Sequence, residues 1–392
     1  MSFPALLLDL LVIFAAAKLL GHLAQRVGQP AVLGELLAGV LLGVSVLGLV
    51  DPKQETLHLL AELGVLILLF EIGLESDLDD LLEVGWQALL VALVGIAVPF
   101  ALGYAAMLLL GEGGIRAVFV GATLTATSIG ITARVLADLG RMDTAAARII
   151  LGAAVVDDIL GLVILSVVQG LATTGEVSLA GIATTAALAL GFLAVAVVVG
   201  RLAAPRLLRA VRALDVRGGL LLAALGLAML FALLAHAAGS ATIVGAFAAG
   251  LVLAETEDRH PIEERVRPLA DFFVPLFFVT IGAAVDIRVL DPFDPARRAT
   301  LAVAALLIVA AVAGKLASGL AVKPVEPRER LAVGVGMVPR GEVGLVFASV
   351  GLSAGVVGEE LYAAVVAMVI VTTFMTPPLL KAIFAPAPAA PR

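Results

Sequence analysis

The sequence predicts an all-α polytopic membrane protein. Hydrophobic residues make up 61% of the 392 residues, compared with about 45–50% in soluble domains. Apolar stretches of about 18 residues or more, the length of a membrane-spanning helix, recur from one end of the chain to the other. Proline, glycine and charge divide the chain into about thirteen predicted transmembrane helices, at 4–25, 30–50, 57–75, 84–110, 115–140, 143–170, 178–203, 218–237, 240–255, 266–287, 298–320, 328–353 and 360–385.

Lysine and arginine fall unequally on alternate connections. If the N-terminus is outside, the connections on the outer side carry only five basic residues: Lys53, Arg116, Arg288, Arg297 and Arg298. The positive-inside rule then places the N-terminus outside and the C-terminus in the cytoplasm. The cytoplasmic side carries eighteen lysines and arginines: Lys18, Arg26, Arg134, Arg141, Arg148, Arg201, Arg206, Arg209, Arg212, Arg217, Arg259, Arg265, Arg267, Lys323, Arg328, Arg330, Lys381 and Arg392.

Composition also excludes several functions. The chain has no cysteine, which rules out disulfides, thiolate metal sites and cysteine nucleophiles. The net charge of −7 is spread over short loops, so we expect no nucleic-acid partner. The four histidines do not cluster, and a metalloenzyme is not indicated.

Thirteen helices suit two inverted six-helix repeats joined by the seventh helix, with span 5 matching span 12. Span 5 contains a polar run of Thr123, Thr125, Thr127 and Ser128 between two glycines. Irregular backbone at membrane depth is tolerated only when it is buried in protein or lines a cavity. The alternative is that these hydroxyls bond back to their own helix.

Span 12 carries Pro339, Arg340, Gly341 and Glu342 at its middle. Proline removes a backbone donor and glycine weakens a helix, so this span also looks interrupted. Paired interrupted segments in two halves are the best sequence indication of a transporter's binding site. We expect Arg340 and Glu342 to offset the exposed helix ends or to pair with each other.

Two adjacent acids, Asp157 and Asp158, interrupt the apolar sixth span. An acid at the bilayer centre costs at least about 2.5–3.5 kcal/mol and is rarely retained without a use. Like charges close together and partly desolvated favour protonation of one of them, so such a pair can exchange a proton for a cation. Lys315 is the only base in the interior of the eleventh span, after Arg298 at its start, and favours a carboxylate partner. The structural alternatives are an acid pair neutralised by arginine and a lysine that extends to the membrane surface.

These residues resemble a known family over essentially the whole chain. The chain is similar to bacterial Na⁺/H⁺ antiporters of the monovalent cation:proton antiporter superfamily, second branch. The motifs that carry the resemblance are 29-QPAVLGELLAGVLLG, 61-AELGVLILLFEIGLE, 125-TATSIGITARVLADLG, 148-RIILGAAVVDDILGL, 275-PLFF and 336-GMVPRGEVGL.

The resemblance implies two crossed, unwound helices in a core domain, at roughly 84–170 and 298–385, and a separate dimerisation domain at roughly 1–56 and 218–287. A linking helix at roughly 178–203 joins them in a single membrane unit. It implies a homodimer in the inner membrane and a transporter rather than an enzyme. The cargo is Na⁺ or Li⁺ and protons, and no cofactor is expected.

The resemblance also assigns roles to individual residues. Asp158 becomes the principal cation ligand, and Asp157 the carboxylate that pairs with Lys315. Thr127 and Ser128 supply oxygens near the ion, and Glu342 matches the acid of the second unwound helix. Glu71 departs from the family pattern, which is apolar at that position.

Charge counting predicts two protons per Na⁺, because Asp157, Asp158 and Lys315 would titrate together. Exchange would then be electrogenic. A K⁺/H⁺ antiporter is the alternative, followed by a cation channel, which paired interrupted helices disfavour. An intramembrane aspartyl protease would need its acids on different helices, and its Gly-x-Gly-Asp motif is absent from the sequence.

Overall fold

The computed structural model of the protein describes residues 3–173, 179–214, 216–291, 297–322 and 326–384. These residues form helices joined by turns and loops, with no β-strand among them. Two short 3₁₀ turns, at Ile287–Leu290 and Gly319–Ala321, flank the thirteenth helix. The α-helices are α1 (Phe3–Arg26), α2 (Ala31–Leu42), α3 (Glu55–Glu75), α4 (Leu78–Glu83), α5 (Gly85–Leu109), α6 (Ile115–Thr123), α7 (Ile129–Asp138), α8 (Ala145–Thr173), α9 (Leu179–Ala213), α10 (Gly219–Ala237), α11 (Thr242–Ala254), α12 (Arg259–Ala283), α13 (Arg298–Ser318), α14 (Pro327–Gly336), α15 (Glu342–Ser353) and α16 (Glu359–Phe384).

The all-helical membrane architecture is confirmed. Eight helices in the described ranges are long and apolar enough to cross a membrane, and α2 and α11 are shorter apolar helices. The two predicted interruptions are also confirmed: α6 and α7 replace one continuous fifth span, and α14 and α15 replace the twelfth. The total of thirteen transmembrane helices stays a prediction.

Several helix ends differ from the predicted boundaries. Helix α12 begins at Arg259 rather than 266, because its first turns are amphipathic and carry an i,i+4 ion pair between Glu263 and Arg267. Helix α9 continues to Ala213 rather than 203 for a similar reason, since its last turns are rich in arginine. Helix α2 ends at Leu42 rather than 50. There the chain reverses through Gly48, whose φ of 61° favours glycine.

The packing of the helices repeats between the two halves. Helix α5 packs against α6 and α8, as α13 packs against α14 and α16. Similarly α7 contacts α8 and α16, while α15 contacts α16 and α8. Exchanging α5–α8 with α13–α16 therefore preserves these neighbours, as the predicted inverted repeat requires.

A second set of repeated contacts joins α2, α3, α11 and α12, which we call the glycine-packed wall. Gly39 of α2 faces Gly282 of α12, and Gly73 of α3 faces Gly250 of α11. A methyl group at Gly250 would lie 2.3 Å from the carbonyl oxygen of Phe70, and one at Gly39 would lie 2.2 Å from that of Val279. Small residues allow backbones in a membrane to approach this closely. The wall is thus held by direct backbone contact.

Candidate functional site

The two interrupted helices meet at their breaks, residues 124–128 and 337–341, which we call the crossing. The backbone N–H of Ser128 donates to the carbonyl oxygen of Pro339 at 2.8 Å. The hydroxyl of Thr132 donates to Gly336 O at 2.6 Å, and that of Thr127 to Met337 O at 3.4 Å. Carbonyls that lose their helical partner at the end of α14 are therefore satisfied by α7 and the residues that precede it.

Arg340 satisfies the opposite break. Its guanidinium is fully buried and donates to the carbonyl oxygens of Leu124 and Ala126, just past the end of α6. Its own carbonyl accepts from the hydroxyl of Thr373 on α16. A cation at a helix C-terminus also offsets the negative end of the helix dipole. One break is thus compensated by a charge and the other by hydroxyl and N–H groups.

The acid–base pair predicted from the sequence is present beside the crossing. Nζ of Lys315 lies 3.4 Å from Oδ2 of Asp157, and both side chains are at most 1% exposed. Gly95 of α5 flanks the lysine, since a methyl group there would lie 3.5 Å from Nζ. Helix α8 brings Asp157 to this depth, beginning after Thr144, whose hydroxyl accepts from the N–H of Ala147.

Asp158 is also buried, at 8% exposure, and lies within electrostatic range of Lys315. Two further oxygens in this region, Ser128 Oγ and Asp157 Oδ1, are buried and have no hydrogen-bond partner among the described residues. Buried polar atoms without partners are uncommon, and one explanation for them is that they bind an ion or a water molecule. The region can therefore offer carboxylate and hydroxyl oxygens, which suit a hard cation.

Comparison with known proteins assigns the chain to a family. Residues 10–385 match the family described as "Sodium/hydrogen exchanger, transmembrane". The chain belongs to the sodium/hydrogen exchanger family. The family is one of transporters, as the sequence led us to expect.

Relatives of this exchanger are similar over nearly their full length. It is 45% identical to the high-affinity Na⁺/H⁺ antiporter NhaS3 of Synechocystis, with 96% of this chain and 89% of the relative covered. It is 37% identical to the Na⁺/H⁺-K⁺ antiporter GerN of Bacillus cereus, with 95% of each covered. The solved structure of the sodium proton antiporter MjNhaP1 from Methanocaldococcus jannaschii matches with a TM-score of 0.69 at 19% identity, covering 95% of both chains. That last similarity shows the fold.

Other predicted site residues of this exchanger fall in different places. Thr123 and Thr125 bond back to Phe119 O and Ala122 O, as the structural alternative for this span expected. Glu342 begins α15, but its side chain lies outside the described part of the structure. Arg340 binds backbone carbonyls at the first break. The alternative prediction, that Arg340 pairs with Glu342, falls outside the described residues and stays a prediction.

Sequence reasoning missed three residues that support the exchanger's site: Thr132 and Thr373 at the crossing and Gly95 beside Lys315. Thr132 and Thr373 were hidden because a threonine within an apolar helix more often bonds to its own helix. A signal existed for Thr132, which continues the polar run that begins at Thr123. Gly95 carried no such signal, since its role depends on a lysine more than 200 positions away.

Proposed function

We propose that the chain exchanges Na⁺, or Li⁺, for H⁺ across the membrane by alternating access. The observation that carries the proposal is the buried Asp157–Lys315 pair beside two backbone breaks, in which Oδ1 of Asp157 has no hydrogen-bond partner among the described residues. The names of the relatives NhaS3 and GerN support the same exchange. In this proposal Asp158 is the principal ligand and no cofactor takes part.

Each predicted site residue has a role in this scheme. Thr127 and Ser128 supply oxygens from the first break, where Ser128 Oγ is buried and without a partner among the described residues. Arg340 compensates the exposed carbonyls of α6. Glu342 is the first residue of α15, a position where the positive end of the helix dipole stabilises an acid. Asp157 shares a proton with Lys315 when the ion is absent.

We propose further that two protons move for each Na⁺. Bound Na⁺ favours the ionised forms of Asp157 and Asp158. Without Na⁺, Asp158 takes up a proton because burial and the neighbouring acid both disfavour its anion. The second proton belongs to the coupled pair of Asp157 and Lys315 rather than to either residue alone. One net positive charge then crosses the membrane in each cycle.

The cation site is tested with purified protein in proteoliposomes that carry a pH-sensitive dye. Asp158→Asn should abolish Na⁺-dependent proton movement, while Asp143→Asn, which removes an exposed acid near the start of α8, should leave it intact. Near-normal exchange by a folded Asp158→Asn protein would exclude Asp158 as the ligand. The same assay with Li⁺ and K⁺ distinguishes Na⁺/H⁺ from K⁺/H⁺ exchange; K⁺ is tested because the name of the relative GerN includes it.

Stoichiometry is tested by the response to voltage. Na⁺ efflux is measured at equal pH on both sides, with a potassium diffusion potential set by valinomycin. Efflux should follow the imposed potential in the unmodified protein. Asp157→Asn or Lys315→Gln should weaken that dependence if activity survives. Efflux that ignores the potential would exclude two protons per Na⁺ but would leave antiport itself standing.

We also propose the setting in which this exchanger works. It is a homodimer in the inner membrane with the N-terminus outside and the C-terminus in the cytoplasm. Residues 1–56 and 218–287 form the dimer, residues 84–170 and 298–385 form the moving core, and the helix at 178–203 links them. Impermeant thiol labelling of Glu112→Cys and Asp143→Cys checks orientation, since only the first should react from outside. Light scattering of the purified protein checks the dimer.

A further inference from the structure

A second group of charges, of which Glu35 is the most deeply buried, lies away from the crossing, and we call it the Arg134 cluster. It comprises Arg134 and Asp138 of α7, Glu35 of α2, Glu71 of α3 and Asp271 of α12. Nε of Arg134 lies 3.0 Å from Oδ1 of Asp138. Glu35 is 2% exposed, and its Oε2 has no hydrogen-bond partner among the described residues.

The cluster lies where α7 meets the glycine-packed wall. The other oxygen of Asp138, Oδ2, accepts from the N–H of Val32 in the first turn of α2, at 3.2 Å. Glu35 stands one turn further along α2 from Val32. Glu71 and Asp271, on two other helices of the wall, lie within electrostatic range of Arg134. Four carboxylates are thus grouped around one guanidinium that belongs to an interrupted helix.

These charges are held between elements that have different roles in the proposed cycle. Helix α7 follows directly from Ser128 at the crossing, whereas α2 and α3 are each joined to α12 by backbone contact. A buried carboxylate costs several kcal/mol unless a cation or hydrogen bonds compensate it. For Glu35 the largest compensating charge is Arg134. Separation of α7 from the wall would expose Glu35 and the largely shielded Arg134–Asp138 pair to water, which solvates charged side chains well.

We propose that the Arg134 cluster is a latch between α7 and the glycine-packed wall. It is closed in this structure and must open whenever the site is exposed to the arginine-rich side of the membrane. This inference rests on the proposed exchange by alternating access. Arg134 and Glu35 act as positioning residues, because they bias the two arrangements of α7 without touching the ion.

A cation site is a weaker interpretation of the same residues. No group of three or more His, Cys, Asp or Glu side chains in the described ranges is arranged to hold a metal ion. A static ion pair is the other alternative. It would change the stability of the protein without changing how readily a reagent from the arginine-rich side reaches the contact between α7 and the wall. This difference can be measured.

The test uses a single cysteine as a reporter, which the cysteine-free chain permits. Ala133 lies next to Arg134, is fully buried, and belongs to the apolar cluster that includes Val32 and Val65 of the wall. Ala133→Cys is labelled with a membrane-impermeant maleimide added on the arginine-rich side. Adding Arg134→Gln should raise the labelling rate about tenfold by shifting the population of the open arrangement.

Matched variants separate the latch from a general loss of charge. Arg134→Lys keeps the charge and should label within about threefold of the reporter alone. Arg265→Gln removes the same charge from an exposed position of α12 and should change nothing. Glu35→Gln keeps the shape of the side chain but weakens the cluster, so it should give a smaller increase than Arg134→Gln. Glu35→Gln also provides a test of the latch if Arg134→Gln fails to fold.

The outcomes decide the latch independently of the antiport proposal. A folded Arg134→Gln protein that melts earlier but labels like Arg265→Gln would show a static ion pair and overturn the latch. If Arg134→Gln does not fold, an unchanged rate in Glu35→Gln does the same. Repeating the labelling with Asp158→Asn present removes exchange while leaving the cluster intact, so the increase should persist. Normal exchange by Asp158→Asn would contradict the ion site, and the labelling rates would still decide the latch.

Discussion

In the glycine-packed wall, helices from the two halves touch through bare backbone, whereas at the crossing they touch through polar groups. Both contacts follow the inverted repeat. At the wall Gly39 meets Gly282 and Gly73 meets Gly250. The helices of each pair cannot shift without losing these close backbone contacts. At the crossing Arg340 and Ser128 make hydrogen bonds that can be exchanged for others. The wall is therefore suited to staying rigid, and the crossing to binding and releasing an ion.

The largest expected effect is the loss of Arg340. Arg340→Gln leaves the carbonyls of Leu124 and Ala126 without their donors, at about 1–3 kcal/mol for each buried group. We expect the free energy of unfolding to fall by about 2–5 kcal/mol and exchange to be lost. Thermal unfolding in detergent measures the first and proteoliposome assays the second. Arg265→Gln is the control, and equal stability of the two variants would refute the assigned role.

Next in size is a methyl group in the wall. Gly250→Ala places Cβ 2.3 Å from Phe70 O and 2.8 Å from the Cα of Gly73, so α3 and α11 must move apart. We expect a loss of about 1–3 kcal/mol or more, as for other overpacked sites, with exchange per folded molecule little changed. Gly226→Ala on α10 meets nothing within 4 Å and should be neutral or stabilising. If Gly250→Ala melts like Gly226→Ala, the wall is not closely packed there.

A methyl group at the crossing should act on binding rather than on stability. Gly341→Ala places Cβ 2.6 Å from Oγ of Ser128, which must then turn away. We expect the Na⁺ concentration for half-maximal exchange to rise about tenfold, equivalent to about 1.4 kcal/mol. Gly344→Ala, with its nearest neighbour at 3.6 Å, is the matched control. An unchanged Na⁺ dependence in Gly341→Ala would place Ser128 away from the ion.

The smallest effect is expected for an ion pair outside both regions. Asp286 follows α12, and the hydrogen bond from the Arg288 side chain lowers the pKa of its carboxyl group. A lowered pKa stabilises the fold above the unfolded value of about 3.9 and loses that contribution as pH falls through the folded value. Asp286→Asn should therefore cost less than about 1 kcal/mol at neutral pH and nothing in strong acid. A larger loss, or one that persists in acid, would show that exposed charges matter here as much as buried ones.

Much of the fold could be predicted because its determinants are local. Runs of apolar residues mark the helices, and the Thr/Ser run and Pro339–Gly341 mark the breaks, since hydroxyls, proline and glycine weaken a helix wherever it lies. The acids Asp157 and Asp158 and the base Lys315 stood out because a charge in an apolar span is costly.

What could not be predicted depends on contacts between distant segments. The sequence alone shows Arg340 only as a charge in an interrupted span, because the carbonyl oxygens that it binds, of Leu124 and Ala126, lie in a distant segment. Glu35 lies alone in the apolar helix α2, and Arg134 counted only as a marker of the cytoplasmic side. Glu35 and Arg134 come together because α7 packs against the wall, and no pattern within α2 or α7 specifies that packing. The boundaries of α9 and α12 moved for a simpler reason, since a helix can continue beyond the membrane.

The bonds from Arg340 to the first break also set an order of events during synthesis. Arg340 follows Ala126 by 214 residues, so at about 5–20 residues per second the ribosome needs about 10–40 s to supply it. Throughout that interval the carbonyls of Leu124 and Ala126 are in the growing chain without their final donor. Until then these two carbonyls need other donors, such as water. The first break is completed only when Arg340 of span 12 has been made.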